Sequence, residues 1–114
     1  MDRVSFYIKK EFIDKKLESQ LKGVAELMGE VTQLEQQKSK LQYEQDQMTE
    51  EQARLRENIA VLGNTSQEAA LKEQYVKKLA TQENRFETIK VEIEELEKKI
   101  NQLNKKIEEQ INEL

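Results

Sequence analysis

Helix-stop and helix-start signals fall together at only one place in this chain, Leu62-Gly63-Asn64-Thr65-Ser66-Gln67-Glu68. Gly63 follows the last periodic apolar residue, Leu62, where a helix often ends on a left-handed residue and glycine carries no Cβ penalty. Asn64 is the next best residue at such a site. Thr65 can accept the amide of Glu68 while the Glu68 carboxylate reaches back to Thr65, which is a capping box. The stretch predicts a turn over residues 63–65, with a helix on each side. No proline occurs anywhere to break either helix.

On both sides of this stretch the apolar residues recur in heptads. In the first arm, residues 13–62, the a positions are Leu17, Val24, Val31, Lys38, Gln45, Gln52 and Ile59. Its d positions are Ile13, Gln20, Leu27, Leu34, Leu41, Met48, Leu55 and Leu62. The second arm, residues 66–114, carries its strongest repeat in Ile93-Leu96-Ile100-Leu103-Ile107. Near the turn Leu71, Tyr75 and Leu79 stand four apart, which predicts a local stutter. Gly23 and Gly29 weaken the first helix and predict a bend near them. Charged residues make up 37% and hydrophobic residues 36% of the chain, a balance that suits a thin seam better than a thick core. The regular Leu and Ile spacing argues against disorder. The expected fold is all-α, an antiparallel two-helix coiled-coil hairpin, which can dimerise into a four-helix bundle. A parallel dimer of long helices, with the turn straightened, is the alternative within this class.

Charges select how the arms align. With the turn centred between Gly63 and Asn64, flanking g positions bring Glu51 to Lys78, Glu44 to Arg85, Glu30 to Lys99 and Lys16 to Glu113, with no like-charged pair. A slide of one heptad sets Glu44 against Glu92. Exposed pairs of this kind contribute ~0.2 to 1 kcal/mol each, so they choose a register while the core supplies stability. The expected core stacks Leu41 on Phe86, Leu34 on Ile93, Leu27 on Ile100 and Val24 on Leu103. It also sets Gln45 opposite Gln82, where two buried amides can bond each other and fix the alignment.

In this register residues 1–12 overhang the second arm, Ile13 lies opposite Leu114, and Phe6, Tyr7, Ile8 and Phe12 have no partner. Leu21, Met28 and Ile111 widen the apolar stripe at the same end. That surface predicts an oligomer interface, either with a second copy in a homodimer or with a neighbouring domain of a parent protein. The end at Leu114, without a stop signal, suggests an arm excised from a larger protein.

No residue set for chemistry stands out. The chain has no Cys and no His, so thiolate or imidazole metal sites and Ser/His/Asp catalysis have no ligands or base to use. Glu94, Glu95, Glu97, Glu108 and Glu109 read as solvated helix faces rather than acid–base pairs held in a pocket. No enzyme activity, cofactor or small-molecule substrate is expected. The formal net charge of −4 disfavours nucleic acid, although the Lys98-Lys99 and Lys105-Lys106 doublets keep a nucleic-acid-binding helical arm as a different-class alternative. No apolar run approaches the ~20 residues of a membrane span. At the turn, Ala60, Val61, Asn64, Ser66, Ala69 and Ala70 form a small surface where a partner can dock.

The segment Arg54-Leu55-Arg56-Glu57-Asn58-Ile59, followed by Tyr75-Val76-Lys77-Lys78-Leu79 and Gln82-Glu83, resembles the coiled-coil region of uncharacterised bacterial mucoidy-inhibitor-like proteins. The resemblance covers about residues 50–90. It implies a hairpin that accompanies β-rich domains in a larger protein, and it carries over no catalytic residue.

Overall fold

A computed structural model describes the backbone of residues 2–114 and the side chains of residues 9–114. The chain is an all-α helical hairpin: α1 spans Asp2–Ala60, α2 spans Ser66–Asn112, and no strand occurs among the described residues. α1 runs unbroken through Gly23 and Gly29, since tertiary packing overrides the weak local propensity of a glycine. Helix extends through the overhanging segment from Asp2 onward. Exposed threonines are held within the helices by back-bonding. The hydroxyls of Thr32, Thr49, Thr81 and Thr88 donate to the carbonyls of Met28, Gln45, Lys77 and Asn84.

The hairpin divides into two compact units, residues 1–36 with 97–114, and residues 37–96. In the first, protected positions on α1 are Gln20, Val24, Leu27, Val31 and Leu34, and on α2 Ile100, Leu103, Ile107 and Gln110. Alternating steps of three and four put them on one seam of each helix, which is coiled-coil burial. Val24, Leu27 and Ile107 form one buried cluster, with Val31 and Leu103 packed against it. The expected stack of Leu27 on Ile100 is therefore displaced: Ile107 joins Leu27, and Ile100 is buried outside that cluster.

The second unit contains the turn. Its α1 seam runs through Lys38, Leu41, Gln45, Met48, Gln52, Leu55 and Ile59, and its α2 seam through Leu71, Tyr75, Leu79, Gln82, Phe86, Ile89, Ile93 and Leu96. The two consecutive steps of four at Leu71-Tyr75-Leu79 appear in this burial pattern, as the stutter predicts. Ile89 is fully buried. Removing a leucine or isoleucine of this size from water contributes roughly 1.5 to 3 kcal/mol, so these few aliphatic side chains carry the unit.

Candidate functional site

The turn is longer than expected and is held differently. α1 stops at Ala60, and residues 61–65 connect the helices. The Leu62 N–H bonds the Ile59 carbonyl at 3.2 Å, a tightened last turn that satisfies one of the helix's orphan acceptors. No glycine has positive φ, so Gly63 is not the left-handed stop that its position suggested. Its missing side chain serves a close approach instead. The Gly63 N–H donates to Glu68 Oε2, and a Cβ on Gly63 would lie 3.0 Å from both carboxylate oxygens.

Thr65 is the N-cap of α2. Its carbonyl accepts the first intrahelical bond, from the Ala69 N–H at 2.8 Å. Its hydroxyl accepts the Glu68 N–H at 3.2 Å and donates to Glu68 Oε1 at 2.8 Å. The capping box thus closes through the Thr65 hydroxyl and extends to Gly63, tying the connector to the first turn of α2. The Gly63 N–H, followed by the Thr65 hydroxyl, holds the Glu68 carboxyl below the usual carboxylate range. Ala60, Val61, Asn64, Ser66, Ala69 and Ala70 are all exposed around this turn.

Two of the register pairs are brought together in the second unit. Lys78 Nζ is 2.5 Å from Glu51 Oε1. Arg85 grips Glu44 with two parallel bonds, Nε to Oε1 and Nη2 to Oε2, each 2.8 Å. Arg85 also lies 3.9 Å from Glu92 on its own helix. Hydrogen bonds from Arg85 and Lys78 hold the Glu44 and Glu51 carboxyls below their ordinary value, and Glu44 pushes Arg85 further up.

The polar core pair does not form as expected. Gln82 is 8% exposed and its Oε1 has no hydrogen-bond partner, while Gln45 is only half-buried. The buried amide on α1 is Gln52, 5% exposed, whose Nε2 donates to Glu83 Oε1 at 3.5 Å. Ile107 joining Leu27 and Gln110 lying beside Gly23 depart from the expected facing positions in the same direction. In the first unit these contacts set α2 off from the expected facing positions, while in the second the long side chains of Lys78 and Arg85 still meet Glu51 and Glu44.

In the first unit Glu30 and Lys99 form no ion pair. With Gln33, Leu34, Gln102, Leu103 and Lys106 they line a groove of about 500 Å³. At the far end of α2, Gln110 and Glu113 stand beside Ser19, Gln20 and Gly23. Among the described residues upstream of these, α1 has no companion. Every described residue from 9 to 19 is exposed. The expected contact of Ile13 with Leu114 is therefore absent: Ile13 is 60% exposed and Leu114 is exposed too, because the offset ends the cover of α2 near Gln20. Phe12 is 69% exposed, and Leu17, Leu21, Met28 and Ile111 also stay open to solvent. The side chains of Phe6, Tyr7 and Ile8 lie outside the described residues. Ile13 and Leu17, which the heptad pattern assigns to the internal seam, are thus exposed together with Phe12, Leu21, Met28 and Ile111.

Glu94, Glu95, Glu97, Glu108 and Glu109 are exposed. Among the described residues no group of three or more acidic side chains could hold a metal ion, and no helix is long and apolar enough to cross a membrane. No protein-family model, curated protein or solved structure matches the chain.

Proposed function

We propose that this chain is a non-catalytic coiled-coil interaction module that joins a second copy of itself through the uncovered seam of α1. One observation carries this reading: Ile13 and Leu17 remain exposed on the same seam of α1 that further along builds a core, and exposed Leu21 and Met28 flank that seam. A soluble helix with an apolar stripe that nothing covers is a site of association, and another helix with the same repeat is the surface that fits it. The groups with the most shifted carboxyls, Glu44, Glu51 and Glu68, are already committed to ion pairs and to the cap, which is structural rather than chemical work. Sedimentation equilibrium tests the proposal. A mass of two chains at micromolar concentration supports it, and a single-chain mass across the whole accessible concentration range removes it.

A further inference from the structure

The bare seam also carries information about the direction in which its partner runs. Ile13 and Leu17 hold d and a positions in the frame that, past Gln20, continues through Val24 and Leu27 in the core of the first unit. The seam is thus one continuous interface, covered by α2 from Gln20 onward and exposed before it. The same frame puts Lys9 and Lys16 at g, Asp14 at e and Lys10 at a. Lys15 and Glu11, on the outer positions, pair with each other at 3.4 Å.

Those flanking charges discriminate between the two ways a second α1 can lie along this one. An antiparallel copy with Ile13 over Leu17 sets Lys16 against Lys16 and Asp14 against Asp14. A parallel, in-register copy brings each g residue to the e residue of the following heptad on its partner. Lys9 then meets Asp14 twice by symmetry, and the aliphatic stem of Lys16 lies over Leu21. Lys10 at a adds a polar layer of the kind that selects two strands over three or four. We propose that two copies of this chain associate by a parallel, in-register coiled coil of their α1 segments, layered on Ile13 and Leu17 and oriented by Lys9–Asp14 pairs. This inference rests on the self-association reading above and adds its orientation and contacts.

The chain has no cysteine, so a single introduced thiol reports cleanly. In a parallel in-register dimer, a Leu17→Cys side chain faces its own copy at a separation a disulfide can span. The expected result is near-complete disulfide dimer under mild oxidation for Leu17→Cys and almost none for Lys22→Cys, which points outward. Crosslinking confined to an equimolar mixture of Ile13→Cys and Leu17→Cys would establish the antiparallel arrangement and overturn the proposal. A wild-type chain that sediments as a monomer defeats the self-association reading itself, whereas a wild-type dimer whose Leu17→Cys variant does not crosslink defeats only the orientation. Lys9→Glu should weaken association about tenfold, and adding Asp14→Lys should restore it, because the pair is reversed rather than lost. A double variant as weak as the single one contradicts the assigned contact.

Discussion

Individual residues in this chain separate into those that packing requires and those it merely tolerates. Gly29 is exposed, and a Cβ there would meet nothing within 4 Å. Gly29→Ala should therefore stabilise the helix by ~1 kcal/mol, seen as a higher thermal midpoint with unchanged helical content. No gain would mean that the glycine has a contact or bend this geometry lacks. Gly63 differs, since its bare Cα leaves room for the Glu68 carboxylate. Gln82 is buried in the core with its Oε1 unpartnered. Gln82→Leu should raise stability by ~1 to 2 kcal/mol in chemical denaturation, the size of one orphaned polar atom. A loss on this substitution would show that the amide is satisfied after all.

At the scale of the helices, the cap and the ion pairs share one pH dependence. Glu44, Glu51 and Glu68 all have folded-state carboxyl pKa values below the ordinary 4.5. Their contribution is complete above the unfolded-state value and is lost as pH falls through the lower folded-state values. Thermal stability should thus hold on the neutral side and drop once pH falls below about 4.5, the unfolded-state carboxyl value. Glu68→Gln should flatten part of that drop, and an unchanged acid limb would contradict the cap's role. The helices, their antiparallel pairing and two ion pairs were legible in the heptads and charges. The offset in the first unit was not. Arg85 and Lys78 are long enough to reach Glu44 and Glu51 from neighbouring alignments, so those charges reject a full-heptad slide without fixing the finer position. Nor was the Gly63 geometry legible, because glycine marks a left-handed residue and a close approach equally well.

For the molecule as a whole, the offset decides where the apolar surface ends up. By bringing Ile107 to Val24 and Leu27, it leaves the described residues of α1 before Gln20 exposed. Ile13 and Leu17 therefore move from the internal seam, where periodicity alone put them, to an exposed one. On the function proposed above, this exposed seam is where a second copy binds. Sedimentation equilibrium of the wild-type chain beside Leu17→Glu, with circular dichroism to check that both remain helical, tests it most directly. A two-chain mass is expected for the wild type and a one-chain mass for the variant at equal helicity. Equal masses for the two proteins, whether one chain or two, would contradict it.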